Sequence, residues 1–196
     1  MINIPCVIFA GGKSSRMGED KSLLPFGSFA TLTEFQHSRL SKIFTDVYIS
    51  CKDKNKFNFD AQFIEDDNSS DTFAPTAGFI ASFKALRSDN FFALSVDSPF
   101  VNESVITKLI NKSHPNLDAV IAKTDQGIQP LCGIYFRSLE EKFQKMQKED
   151  NHKLGFLLKD SSTEYLYFSD TTLFSNLNYP KEYKEALKNY KFLNIS

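Results

Sequence analysis

Cys6-Val7-Ile8-Phe9-Ala10-Gly11-Gly12-Lys13-Ser14-Ser15-Arg16-Met17-Gly18-Glu19-Asp20-Lys21 is an apolar run about one strand long that stops at two glycines and passes into a cationic loop. A buried strand followed at once by glycines reads as the first unit of an open α/β sheet, where ligands collect at the carboxyl ends of the strands. Glycines at that edge let backbone N–H groups come close to a phosphate or a base. Arg16 and Lys21 add two cations nearby. A polyphosphate suits that pair, because a guanidinium binds phosphate bidentately and an ammonium acts as a point charge. Taken singly, the same residues also suit a solvated surface turn. Two familiar phosphate loops are excluded. A Walker A motif ending at Gly12-Lys13-Ser14 needs glycine at position 7, where Val7 stands, and a dinucleotide fingerprint starting at Gly11 fails at Lys13 and Arg16.

The rest of the chain repeats the alternation of short apolar runs with longer amphipathic ones. Strands are expected over Cys6–Ala10, Val47–Cys51, Gln62–Glu65, Phe91–Val96, Ala119–Ala122, Leu131–Phe136 and Glu164–Phe168. Helices are expected over Leu32–Phe44, Ala77–Leu86, Glu103–Ser113, Leu139–Gln147 and Pro180–Tyr190. Long crossovers between the first four strands favour parallel pairing, and the closely spaced later ones leave room for antiparallel pairs. The fold class is therefore α/β: an open, mostly parallel, mixed sheet with helices on both faces. Phe79, Phe83 and Leu86 follow helical spacing and are expected in the core.

Composition bounds the partners. The 196 residues suit one domain, 1–196, and the 41% apolar content supports a core without disulfide or metal staples. Twenty Phe and no Trp point to core filling. With 23 Lys+Arg against 24 Asp+Glu, the net charge of −1 excludes a broad basic surface and hence nucleic acid as a partner. Cys6, Cys51 and Cys132 are dispersed, as in a reduced cytoplasmic protein, and no apolar run is long enough for a membrane span or signal peptide. A monomer is expected. His37, His114 and His152 share no metal-ligand spacing, and Cys132 has no base beside it in sequence.

Phe92-Ala93-Leu94-Ser95-Val96-Asp97-Ser98-Pro99-Phe100 is the second informative stretch, an apolar strand ending in a carboxylate and a proline-set turn. Asp97 falls on the same sheet edge as the glycine loop, where a single carboxylate plus phosphate oxygens can hold Mg²⁺. An Asp-Ser-Pro turn in which Asp97 only accepts backbone hydrogen bonds is the alternative.

Phe9 to Pro25 resembles the leucine-Ala-Gly-Gly-x-Ser-x-Arg-Met-Gly-x-Asp-Lys-x-Leu signature of molybdenum cofactor guanylyltransferases, with Phe9 in place of leucine. The wider nucleotidyltransferase superfamily shares only a sparser Gly-x-Gly-x-Arg-x-x-Lys pattern. Asp97-Ser98-Pro99-Phe100 is similar to the family's Asp-x-Pro-Phe/Tyr segment. Ala74-Pro75-Thr76-Ala77-Gly78 resembles its Gly-Pro-Leu-Ala-Gly helix start, departing at Ala74 and Thr76. Asn176-Leu177-Asn178-Tyr179-Pro180 resembles its closing Asn-x-Asn-x-Pro motif. The resemblance implies a Rossmann-like nucleotidyltransferase fold, with residues 1–100 binding nucleotide and 101–196 binding an acceptor. It implies GMP transfer from GTP to molybdenum-bound molybdopterin, release of pyrophosphate, and transient contact with cofactor-assembly proteins and molybdoenzymes. By resemblance, Arg16, Lys21 and Asp97 are catalytic and Asp97 holds Mg²⁺. Phe9, Ala10, Gly11, Gly12, Lys21, Asp66 and Asp97 bind the nucleotide, with Asp67 as a register-shifted substitute for Asp66. Gln129, Pro130, Asn176 and Asn178 face the acceptor. A cytidylyl- or sugar-phosphate nucleotidyltransferase, or a GTP-binding protein without turnover, would use the same loop. Asn178 with Pro180 also makes an ordinary helix start.

Overall fold

The computed structural model describes residues 1–12, 16–66 and 75–193. Seven strands form one sheet: β1 (Cys6–Phe9), β2 (Val47–Cys51), β3 (Gln62–Glu65), β4 (Asn90–Ser95), β5 (Ala119–Thr124), β6 (Gly127–Phe136) and β7 (Thr163–Tyr167). Their order is β3-β2-β1-β4-β6-β5-β7, and β6 alone runs against the others. The helices are α1 (Leu32–Leu40), α2 (Pro75–Ala85), α3 (Glu103–Ile110), α4 (Glu140–Lys148), α5 (Leu154–Lys159) and α6 (Pro180–Leu193).

Side chains alternate across the sheet with a period of two, so Cys6, Ile8 and Ala10 enter one core while Val7 and Phe9 enter the other. The first core takes Phe35 and Leu40 of α1, Val105, Ile106 and Leu109 of α3, and Ala186 of α6. The second takes Phe79 and Phe83 of α2, Phe143 of α4, and Leu154, Leu157 and Leu158 of α5. Phenylalanine fills much of both: Phe79 stacks on Phe143 at 4.5 Å between centroids and meets Phe9 at 4.6 Å. Each buried ring contributes about 1.5–3 kcal/mol of transfer free energy.

Three departures from the sequence reading have local causes. The first helix stops at Leu40 rather than Phe44, because Ile43 and Phe44 both donate to the Leu40 carbonyl in a closing turn and Phe44 pairs with Ile2. The sixth strand begins at Gly127, four residues early, through an irregularity: Ile121 pairs with Gly133 but Ala122 pairs with Gln129, leaving residues 130–132 bulged. Gly133 is needed there, since a Cβ would lie 2.2 Å from the Val120 carbonyl oxygen. The short helix α5 was not expected at all.

Candidate active site

The carboxyl ends of β1, β2, β3 and β4 converge. The ladder runs one residue further on either side of β1, with Ala10 donating to the Ser50 carbonyl (2.9 Å) and Val96 to the Phe9 carbonyl (3.1 Å). The glycine loop and the Asp97 turn thereby leave the sheet side by side. Lys13, Ser14 and Ser15 of the loop lie outside the described residues.

Lys21 opens a 3-10 turn, Lys21–Leu23. Asp20 caps it, its Oδ1 accepting from the Ser22 backbone N–H (3.0 Å) and hydroxyl (2.7 Å), while Lys56 Nζ donates to its Oδ2 at 2.8 Å. Burial pushes the Asp20 carboxyl up, but the Lys56 and Ser22 bonds outweigh it and hold its pKa low. Buried Thr33 adds a bond from α1 to the Ser22 carbonyl, 2.7 Å. The backbone under Lys21 is therefore anchored on two sides.

The Lys21 ammonium lies 2.5 Å from Asp97 Oδ2 and donates to Asn178 Oδ1 at 3.1 Å. Both charged side chains are mostly covered, at 18% and 13% exposed. Asp97 Oδ1 accepts from Ser95 Oγ at 2.6 Å, and the Asp97 carbonyl accepts from Leu177 N–H at 2.9 Å. Ser98 Oγ donates to Asn176 Oδ1 at 2.6 Å. Three sequence-distant segments thus meet at one carboxylate. At the start of α6, Glu182 Oε2 accepts from the N–H groups of Asn178 (2.7 Å) and Tyr179 (2.9 Å). Glu182 does the capping, so the Asn178 side chain is turned to Lys21 rather than used on its own helix. Arg16 is exposed and lies over the Tyr179 ring, 5.8 Å from its centroid, beside Asn178 in the chain.

On the other side of the glycine loop is a small pocket lined by Phe9, Gly11, Gly12, Ser50, Lys52 and Asp66, among others. Asp66 is 9% exposed and accepts from Ser50 Oγ at 3.1 Å. Burial pushes its carboxyl up to about 6, against the opposing pull of Ser50 and Lys52. Asp67 lies outside the described residues. Gly78 lets α2 close on this pocket: a Cβ there would stand 2.6 Å from Ser50 Oγ and 3.0 Å from the Phe9 ring. Ser50 and Lys52 were missed in the sequence, where the signal was a hydroxyl and a lysine flanking the end of an otherwise apolar strand.

A cleft of about 1300 Å³ opens between α1, α3 and α6, with Gln129, Asn176, Asn178, Pro99 and Arg39 in its wall, and Asn178 links it to Lys21. Pro130 is not part of that wall. It sits in the bulge of β6, where its carbonyl accepts from the Tyr135 hydroxyl at 2.5 Å.

Among the described residues no three His, Cys, Asp or Glu side chains cluster as a metal cage. The three thiols are all buried, and burial pushes Cys51 and Cys132 to about 12, so neither is a nucleophile. His152 bridges Thr76 Oγ1 (3.1 Å) and Asp150 (2.9 Å), and His37 packs on Phe59 at 6.0 Å. What this arrangement offers is fixed charge and backbone N–H groups at a strand edge between two cavities, the equipment of group transfer between bound substrates.

Residues 6–164 match the MobA-like NTP transferase domain family, so the class is that of nucleotidyltransferases. The chain is 37% identical over 180 residues to the molybdenum cofactor guanylyltransferase of Campylobacter jejuni subsp. doylei, covering 92% of this chain and 93% of the relative. It is 32% identical over 191 residues to the enzyme of the same name from Helicobacter pylori strain G27, covering 95% and 92%. The chain belongs to the molybdenum cofactor guanylyltransferase family. Its fold is shared with the crystal structure of molybdopterin-guanine dinucleotide biosynthesis protein A from Archaeoglobus fulgidus, at a TM-score of 0.83 and 21% identity over 96% of this chain and 100% of that one.

Proposed function

We propose that this chain transfers GMP from GTP to molybdenum-bound molybdopterin, releasing pyrophosphate and forming the molybdopterin guanine dinucleotide. The observation that carries the reading is the Lys21–Asp97–Asn178 contact, which joins the glycine loop, the end of β4 and the start of α6, with a small pocket at the glycine loop and a larger cleft at Asn178. The terminal phosphate of the pterin attacks the GTP α-phosphorus in line. One P–O bond forms and the bond to the β-phosphate breaks, so the protein supplies position and charge rather than a nucleophile.

Lys21 and Arg16 bind the triphosphate and stabilise charge on the departing pyrophosphate. The backbone from Phe9 to Gly12, with Asp66 and Ser50, receives the nucleoside. Gln129, Asn176 and Asn178 face the acceptor across the cleft, with Pro130 acting only through the bulge that presents Gln129. A divalent ion fits Asp97. The carboxylate is a hard oxygen donor that already holds an ammonium at 2.5 Å, and Mg²⁺ needs only one or two protein carboxylates alongside phosphate and water oxygens. When bound there, Mg²⁺ supplies charge neutralisation on the phosphates. No helix among the described residues is long and apolar enough to cross a membrane. The three buried free thiols suit the reduced cytoplasm, where the protein acts as a monomer and hands its product to assembly proteins and molybdoenzymes.

Base choice is tested by thermal unfolding with Mg²⁺ and each nucleotide. GTP is expected to raise the midpoint more than CTP, ATP or UTP. A larger effect of CTP would move the protein to cytidylyl transfer.

A further inference from the structure

Helix α1 carries two polar residues that the proposed chemistry does not use. Gln36 is fully buried, at 0% exposed, on the side of the helix that faces the sheet. Its Nε2 donates to the carbonyls of Ser95 (3.3 Å) and Val96 (3.0 Å), the two residues before Asp97. Its Oε1 accepts from Arg39 Nε at 2.5 Å. Arg39 in turn donates through Nη1 to the Val101 carbonyl at 2.7 Å and through Nη2 to that of Ser98 at 3.5 Å. Burial lowers the Arg39 pKa to about 10, which leaves it cationic at neutral pH. An amide buried in an apolar face costs free energy unless it is bonded. Apart from the bond that joins Gln36 to Arg39, every one of these bonds goes to the backbone on either side of Asp97.

We propose that Gln36 and Arg39 are positioning residues: they fix the turn Ser95–Val101 from beneath so that the Asp97 carboxylate meets the metal–triphosphate. The opposite side of the turn is held by Leu177 and Asn176, so the grip from α1 determines where the carboxylate stands between them. This inference rests on the reading that Asp97 holds the metal. Supporting residues of this kind typically change metal affinity 10–100-fold when replaced.

The test uses Gln36→Met, Arg39→Met and Arg39→Lys in the full chain. Two quantities are read: the Mg²⁺ concentration for half-maximal turnover, and Mn²⁺ binding in the presence of GTP followed by electron paramagnetic resonance without acceptor. Gln36→Met and Arg39→Met are expected to weaken Mn²⁺ binding and raise the Mg²⁺ midpoint by about tenfold. Excess Mg²⁺ should restore most of the turnover, and Arg39→Lys, which keeps the charge but not the fork, should fall between wild type and Arg39→Met. Lower turnover at an unchanged metal midpoint would mean only less folded enzyme and would overturn the proposal. So would a raised acceptor KM for Arg39→Lys with normal Mn²⁺ binding, which would make Arg39 an acceptor contact in the cleft it lines rather than a support for Asp97. If the methionine variants do not fold, Arg39→Lys alone decides by the same two readouts. Failure of the underlying reading is separate: Asp97→Asn would then leave Mn²⁺ binding unchanged.

Discussion

Replacing Gly78 with Ala sets two effects against each other. In a helix interior Ala is favoured over Gly by about 1 kcal/mol. At this position, however, the new Cβ would stand 2.6 Å from Ser50 Oγ and 3.0 Å from Phe9 Cε1. Phe9 cannot retreat easily, being packed on Phe79 at 4.6 Å, and Ser50 can move only by giving up its 3.1 Å bond to Asp66. Overpacking costs about 1–3 kcal/mol, and loss of a bond to a buried carboxyl about 1–3 kcal/mol more. The net is a destabilisation of about 3 kcal/mol, which for a chain of this length lowers Tm by about 6–12 °C. Because Ser50 and Phe9 line the small pocket proposed above to receive the nucleoside, the GTP KM should rise several-fold as well. Gly155→Ala is the control: its nearest neighbour would be Ile128 Cδ1 at 3.7 Å, an ordinary contact, so that variant should be neutral or slightly more stable. Calorimetry and steady-state kinetics on the two variants decide. If Gly78→Ala matches Gly155→Ala in Tm and keeps the wild-type GTP KM, the close packing of α2 on Ser50 and Phe9 is not a constraint on the site.

Lys21→Ala and Asp97→Ala should each keep the fold by circular dichroism and lose turnover by on the order of 100-fold or more; a near-normal rate in either folded variant removes that residue from the mechanism. Asp66 gives a pH signature. In the unfolded chain its carboxyl ionises near 3.8, but in the folded chain not until about 6, so the folded state holds the extra proton between those values. Stability of the ligand-free protein should therefore fall as pH rises from about 4 to about 6 and level off above, by up to roughly 3 kcal/mol. Asp66→Asn should remove this part of the slope in urea unfolding curves; an unchanged slope would show that Asp66 is not its source. GTP binding measured by calorimetry should tighten across the same window, and Asp66→Asn should abolish that tightening.

The sheet was legible because its strands are apolar runs punctuated by Gly, Pro and polar turns, and Val47–Cys51 and Gln62–Glu65 matched to the residue. Lys21 and Asp97 were legible for a different reason: loops at the carboxyl edge of parallel strands must converge, so a cation after β1 and a carboxylate after β4 come together without any local sign of it. Helix α5 escaped because six residues, Leu-Gly-Phe-Leu-Leu-Lys, are too few to show a period, and its single turn and a half is stabilised by burial of Leu154, Leu157 and Leu158. Gln36 and Arg39 escaped because polar residues in a helix read as its solvated face. Only the tertiary placement of the Asp97 turn against α1 shows that their hydrogen bonds are consumed inside. The role of Asn178 was divided in the same way. A helix-start signature was visible, but not that Glu182 performs the capping and leaves the amide for Lys21.

Purified protein incubated with GTP, Mg²⁺ and molybdenum-bound molybdopterin, with pyrophosphate and the guanine dinucleotide quantified together, puts the whole reading at stake. Both products should form in equal amounts, and both should form on the order of 100-fold or more slowly with Lys21→Ala. Pyrophosphate release with a sugar phosphate but not with the pterin would assign a different acceptor, and GTP binding with no pyrophosphate under any acceptor would contradict catalysis altogether.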